Sequence, residues 1–163
     1  MEQVFFYILA AVVVIATLLA ITDRHTVHAI IYLATSFFGL AGIFYLLGAP
    51  LVAVFEVIIY AGAIMVLFLF VIMMLDMGKP DKVRAPSLRE WWPALLLGMI
   101  ILGAMATLFA THFPETLGKW SYTDARHFSR VLFQRYGVAV EVVSMQLLFA
   151  LVGALYLGRR KKP

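Results

Sequence analysis

Cysteine is absent from the 163 residues of this chain, and charged residues make up only 13% of it. Without cysteine there can be no disulfide, no thiolate metal site, no cysteine-ligated iron–sulfur cluster and no cysteine nucleophile. The scarcity of charge, beside 64% hydrophobic residues and a mean hydropathy of +0.97, argues against a soluble domain, whose surface requires far more polar side chains. The sequence therefore predicts a protein whose solvent is lipid.

Signatures of soluble catalysis are also missing. We find no glycine-rich phosphate loop after a strand, no His-Glu pair with zinc spacing, and no nucleophile elbow. The four histidines all lie near the ends of apolar runs, where they could not hold a haem inside the bilayer. We expect no catalytic residue, no bound cofactor and no metal ion in this chain.

Five apolar runs separated by short polar breaks are each long enough to cross a hydrocarbon core of about 30 Å at about 1.5 Å per residue. They predict an all-α membrane protein with five transmembrane helices in a single integral membrane domain, 1–163. The predicted spans are about 4–21, 27–47, 51–75, 93–111 and 137–158. The Gly48-Ala49-Pro50 turn is so short that the second and third spans must form an antiparallel hairpin. A short amphipathic helix, on the membrane surface or on a partner, is predicted before the fifth span, within 123–136.

The positive charges are unevenly distributed between the two sides that five spans define. One side carries Lys119, Arg126, Arg130 and Arg135, and the other carries the remaining nine of the 13 Lys and Arg residues. The positive-inside rule then predicts an external N-terminus and a cytoplasmic C-terminus. Because these charges flank the spans, the net charge of +4 indicates membrane topology and not nucleic-acid binding.

Two acids lie inside predicted spans, Glu56 in the third and Glu141 in the fifth. An ionisable group at mid-bilayer costs on the order of 3 kcal/mol on insertion scales, so such residues usually find water, a partner or a proton. Both acids lie four or five residues inside a span that starts on the external side, which predicts a shared depth. Two interpretations remain open: each carboxylate reaches back to the interface, or both face the bundle interior and exchange protons.

Polar and small residues extend the same faces inward. Tyr60 follows Glu56 by four positions, so the two predict one polar face of the third span. The Tyr60-Ala61-Gly62-Ala63 step thins this helix, which favours either a close helix contact or a local π-bulge. In the second span, His28, Tyr32, Ser36 and Gly39 share a face that predicts a packing seam against another helix.

These residues resemble a known family, the J subunits of respiratory complex I, the bacterial counterparts of mitochondrial NADH dehydrogenase subunit six. The resemblance lies in three stretches: "GAPLVAVFEVIIYAGAIMVLFLFVIMML" at 48–75, "VHAIIYL" at 27–33 and "LFQRYGVAVEVVSMQLL" at 132–148. The chain departs from the family at His25-Thr26, where relatives often have Asn-Pro, and at Gln134-Arg135, where they often have Gly-Pro. Both departures lie at span ends.

The resemblance implies a non-redox membrane-arm subunit of a proton-translocating NADH:quinone oxidoreductase, a translocase of the bacterial plasma (inner) membrane. It implies partner subunits of the A, K, H and N types, with FMN, iron–sulfur clusters and quinone held by partners. It also implies a π-bulge in the third helix at Tyr60, Ala61, Gly62, Ala63 and Val66, and a proton path that includes Glu56, Tyr60 and, with a less defined role, Glu141. A scaffold subunit, a cation/proton antiporter component and a ferredoxin-linked complex remain alternatives.

Overall fold

A computed structural model describes residues 2–23, 25–76, 88–116 and 125–159, and within these ranges it contains only helices and their short connections. The described residues form six helices in two compact units, 1–121 and 122–163. The predicted loops around 77–87 and 117–124 lie outside the described residues. The expectation of a single domain stays a prediction.

The first two helices lie side by side as the most closely associated pair of the first unit. Helix α1 spans Glu2–Thr22 and helix α2 spans Thr26–Leu46, with the break between them at Asp23 and His25. Helix α2 ends in a turn in which Gly48 adopts a φ of 77°, a left-handed conformation that favours glycine. Pro50 then starts the next helix, where its missing N–H costs nothing. The predicted hairpin of the second and third spans is confirmed.

The third helix, α3, is continuous but changes its hydrogen-bonding period. It consists of an α-helical part, Pro50–Phe55, a π-helical part, Glu56–Ile64, and a second α-helical part, Met65–Asp76. We call the middle part the π segment. The predicted π-bulge in the third helix is therefore present, as a segment of nine residues.

Helix α4, Leu88–Thr116, starts five residues before the predicted span, so Pro93 lies inside its first turns instead of opening it. Proline this close to a helix start removes only one intrahelical hydrogen bond, so the preceding residues can remain helical. The apolar part of α4 is Trp92–Thr107. By length and hydropathy, four other stretches of the described chain can each cross a membrane: Gln3–Thr22, Thr26–Leu46, Pro50–Leu75 and Gly137–Gly158. These four and the shorter α4 correspond to the five predicted spans.

The second unit contains helix α5, Ala125–Arg135, and helix α6, Gly137–Gly158, joined at Tyr136. Helix α5 is strongly amphipathic, as predicted, and no side chain of either helix is buried. Such extensive apolar exposure suits a helix that is surrounded by lipid or by other subunits.

The core of the first unit lies between α1, α2 and α4. Its buried members are Leu9, Val12, Ala16, Tyr32, Ile43, Leu97, Ile101 and Ala104. Small residues bring the backbones of α1 and α2 close together: a Cβ added at Gly39 would lie 2.7 Å from Val13 Cγ2. Helix α3 contributes no residue to this cluster, although Ala53, Glu56, Ala61 and Met65 are buried against neighbouring helices.

Candidate functional site

Glu56 is a buried acid within the third helix. It is the first residue of the π segment, its side chain is only 7% exposed, and its Oε1 atom has no hydrogen-bond partner among the described residues. A buried carboxyl oxygen without a partner costs about 1–3 kcal/mol, so native proteins rarely retain one without a functional or structural reason. Of the two interpretations of this residue, the structure supports the one that turns it toward the protein interior.

The π segment ends at Ile64, and the backbone N–H of the next residue, Met65, points toward the carbonyl oxygens of Gly62 and Tyr60. The bond from Met65 to Tyr60 spans five residues, which is the π-helical pattern. Tyr60, Ala61, Gly62 and Ala63 lie within this segment, whereas Val66 lies in the α-helical part that follows. The wide turn therefore starts four residues earlier than the resemblance implies and closes just before Val66.

Gly62 has a local reason to be glycine. A Cβ atom at this position would lie 3.1 Å from the carbonyl oxygen of Val57, five residues earlier in the same π segment. This is tighter than about nine in ten real Cβ contacts. A larger residue would press on the backbone of the wide turn, so Gly62 favours its formation.

The extra residue of the π segment changes which side chains face inward. At the two ends of the segment, buried positions recur at α-helical spacings, from Ala53 to Glu56 and from Ala61 to Met65. Across the segment the step is five residues, from Glu56 to Ala61. Ala61 thus occupies the inward position that a regular α-helix would give to Tyr60.

Tyr60 consequently lies at the edge of the site. Its side chain is 47% exposed, and its ring packs on the ring of Phe37 in α2, with centroids 5.4 Å apart and an angle of 49° between the planes. The structure therefore does not bury Glu56 and Tyr60 together, although the sequence predicts one shared face.

The packing seam predicted on α2 is confirmed. Tyr32, Ser36 and Gly39 are buried, and the Ser36 and Thr17 hydroxyl oxygens lie 2.9 Å apart across the α1–α2 interface. Because Thr17 Oγ1 donates its proton to the Val13 carbonyl at 2.8 Å, Ser36 must be the donor between the two hydroxyls. This hydrogen bond and the close contact at Gly39 hold α2 against α1.

Glu141 lies in α6 of the second unit and is exposed there. Ser144, one turn further along, donates its hydroxyl proton to the backbone carbonyl of Val140 at 3.0 Å. The Ser144 hydroxyl proton is therefore used within its own helix, and only the oxygen is left to accept a hydrogen bond. Within its unit, Glu141 has no built environment comparable with that of Glu56.

An apolar groove of about 570 Å³ lies between α2, α3 and α4. Its walls include Thr35, Gly42, Ala53, Val57 and Gly98, and Glu56 does not line it. The groove is almost entirely apolar, so it offers hydrocarbon contacts.

Sequence reasoning missed Ala61 as the inward-facing residue and Phe37 as the partner of Tyr60. Ala61 faces inward only because residues 56–64 follow the π-helical period. The apolar residues of this span show no periodicity from which that period could be recognised. Phe37 directly follows Ser36 in the sequence, so a position close to the predicted contact face could have been expected for it.

Taken together, the helices and Glu56, the buried acid among the described side chains of the first unit, define a multi-pass α-helical membrane protein with a polar site inside a span. Residues 16–157 match the family model described as NADH-ubiquinone/plastoquinone oxidoreductase chain 6.

Three relatives illustrate the similarity, each named NADH-quinone oxidoreductase subunit J. The one from Pseudomonas aeruginosa is 40% identical over 162 residues, covering 95% of both chains. The one from Escherichia coli strain K12 is 37% identical over 96% of this chain and 86% of its own, and the one from Buchnera aphidicola subsp. Schizaphis graminum is 35% identical over 96% and 98%. The chain belongs to this family of NADH-quinone oxidoreductase membrane subunits, as its sequence predicts.

Proposed function

We propose that the chain is a non-redox membrane-arm subunit of a proton-translocating NADH:quinone oxidoreductase, and that it helps to couple quinone reduction to proton translocation. The observation that carries this proposal is Glu56, a buried acid with an unpartnered oxygen at the start of a π segment. The family membership supports the assignment to this complex. The burial of Glu56 supports the proposed role in proton transfer.

Because Glu56 is buried, ionising its carboxyl group has a high free-energy cost. Losing its proton would leave an unpaired charge in an apolar surrounding, unless water or a partner group reaches Oε1. A carboxyl in this position can therefore take up and release a proton in step with hydration of its surroundings. That is the property required of a residue in a proton path.

The π segment supplies a way to change those surroundings. Converting it to regular α-helix would remove one residue from the wide turn, which rotates one end of α3 relative to the other by about 100° and shifts it by about 1.5 Å. If the N-terminal part stays fixed, Tyr60 replaces Ala61 at the inward position next to Glu56. If the C-terminal part stays fixed, Val57 replaces Glu56. Either change alters the access of water to the carboxyl.

Tyr60 and Glu141 are secondary members of the proposed path. Tyr60 is half exposed in the π form and would join Glu56 only in the α form. Glu141 is exposed in its own unit and needs a partner subunit to enclose it before it could carry protons in a dry environment.

The surroundings follow from the same proposal. We place the chain in the bacterial plasma (inner) membrane with an external N-terminus and a cytoplasmic C-terminus, among subunits of the A, K, H and N types. The flavin, iron–sulfur clusters and quinone belong to those and other partners. This chain contributes no redox group, and the translocase activity is that of the whole complex.

Glu56→Gln in the assembled complex tests the role of the acid. The variant keeps the shape of the side chain but cannot carry a titratable proton, so we expect NADH-driven proton pumping in inverted membrane vesicles to fall severalfold. Glu56→Asp, which keeps the acid, is the matched control and should retain more pumping than the amide. Native gels and mass spectrometry must show equal assembly of all variants with flavin and iron–sulfur subunits.

Two results would redirect the proposal. Full pumping in an assembled Glu56→Gln complex would reduce the chain to a scaffold. Co-migrating partners that lack NADH-oxidising subunits would favour a cation/proton antiporter or a ferredoxin-linked complex instead.

A further inference from the structure

The break between α1 and α2 gathers three side chains of metal-binding type that the site at Glu56 does not use. Asp23 follows the last residue of α1, His25 precedes the first residue of α2, and His28 lies in the first turn of α2. One potential ligand atom from each residue lies within 4.8 Å of the other two. The sequence predicts no metal site in this chain.

The backbone holds these side chains in position. The His25 backbone N–H donates to Asp23 Oδ1 at 2.8 Å, which fixes the carboxylate at the start of α2. The two histidines are three residues apart on one helical face, so their rings lie next to each other, with centroids 5.4 Å apart. The carboxylate faces both rings: Oδ1 lies 3.6 Å from His25 Nδ1, and Oδ2 lies 3.8 Å from His28 Nδ1.

We propose that Asp23, His25 and His28 bind a divalent transition-metal ion of the Zn²⁺ class. Imidazole nitrogens and carboxylate oxygens bind Zn²⁺ at about 2.0–2.2 Å, which sets ligand atoms of a tetrahedral site about 3.3–3.6 Å apart. The observed separations of 3.6 and 3.8 Å lie at or just above this range, and they involve the two different carboxylate oxygens. Binding through a single oxygen therefore requires the three ligand atoms, which lie within 4.8 Å of one another, to draw together by side-chain rotation.

The composition of the cluster selects the class of ion. Two imidazoles and one carboxylate suit Zn²⁺, Cu²⁺ or Ni²⁺, whereas Ca²⁺ and Mg²⁺ prefer oxygen ligands. Three protein ligands leave a fourth position for water, and the His25 side chain is 73% exposed, so the solvent can supply it. The start of α2 is the positive end of its helix dipole, which opposes a cation, and the negative charge of Asp23 offsets it.

The chain itself provides a clean background for a binding test. It contains no cysteine and four histidines, so few other groups compete for the metal. The full-length chain is purified in mild detergent with a tag that contains no histidine, stripped with a chelator, and titrated with Zn²⁺ at pH 7.5 by calorimetry. We expect one Zn²⁺ per chain.

Three variants locate the site. Asp23→Asn, His25→Gln and His28→Gln should each lower the affinity for Zn²⁺ at least tenfold. His127→Gln removes a histidine from the exposed face of α5 and serves as the matched control, with an unchanged affinity expected. Zn²⁺ should also raise the unfolding temperature of the wild-type chain but not that of His25→Gln, since binding to the folded state stabilises it.

Clear results would overturn the proposal. Zn²⁺ binding that is absent, equally tight in His25→Gln, or equally weakened in His127→Gln would leave Asp23 as an ion-pair partner of the histidines and nothing more. If the isolated chain unfolds in detergent, the same comparison is made on the assembled complex. There, wild type must bind one more Zn²⁺ than His25→Gln, whose exposed position makes an assembly defect unexpected.

Discussion

Gly62→Ala should shift α3 from the π form toward the α form. The new Cβ would lie 3.1 Å from the Val57 carbonyl oxygen, and a few tenths of an ångström of relief are needed to reach ordinary contact. Moving the Cβ atom this far by bending the bonds that hold it requires an angular distortion of roughly 7°, which costs about 1 kcal/mol. The cost applies to the π form alone, because the α form pairs residue 62 with residue 58. An energy of this size changes the ratio of the two forms about fivefold.

The assay is the initial rate of proton pumping in inverted vesicles, normalised to the amount of assembled complex. If turnover requires the π form, we expect Gly62→Ala to lower this rate up to about fivefold, and Gly62→Leu, which adds further atoms at the same contact, to lower it more. Gly103→Ala is the matched control, since a Cβ at Gly103 meets no atom within 4 Å. Unchanged pumping in both assembled Gly62 variants would refute the reasoning that links the π segment to coupling.

Three further predictions concern the scaffold and its orientation. Gly39→Ala should destabilise the α1–α2 pair by about 1–3 kcal/mol in chemical unfolding of the detergent-solubilised chain, because its Cβ would lie 2.7 Å from Val13 Cγ2, and Val13→Ala in the same chain should restore much of the loss. A double-mutant cycle of Thr17→Val and Ser36→Ala should give a coupling energy of about 0.6 kcal/mol, the average for hydrogen bonds between membrane helices; a value near zero would show that the 2.9 Å contact contributes nothing. Because the chain has no native cysteine, Gln3→Cys should react with an impermeant maleimide in spheroplasts, and Arg159→Cys only in inverted vesicles; the reverse pattern would contradict the proposed topology.

The sequence could predict the helices because the bilayer requires long apolar segments that satisfy their own backbone hydrogen bonds. The seam at Ser36 and Gly39 was equally accessible, since small and hydroxylated residues at helical spacing mark contacts between membrane helices. The start of α4 was predicted wrongly because Pro93 was read as a helix start, although proline is also tolerated within the first turns.

The inward faces of α3 could not be predicted in the same way. Glu56 and Tyr60 are four positions apart, and regular helical geometry places them together. The nine-residue π segment inserts one residue into that spacing, so that Ala61 faces inward and Tyr60 meets Phe37. Such a shift depends on backbone hydrogen bonds and on packing around Gly62, neither of which leaves a pattern in a uniformly apolar stretch.

The C-terminal part of α3 packs against α2 on one side and leaves its other side exposed. Beyond Met65, its large side chains, such as Leu67, Phe68 and Phe70, are exposed, and none belongs to the core formed by α1, α2 and α4. Turning this half of the helix about its own axis would therefore change its contacts with α2 and the burial of Met65, but none of the contacts among the core residues. The angle at which the helix comes to rest is then set by α2 and by the molecules that surround its exposed side in the membrane, so the proposed switch would respond to neighbouring subunits.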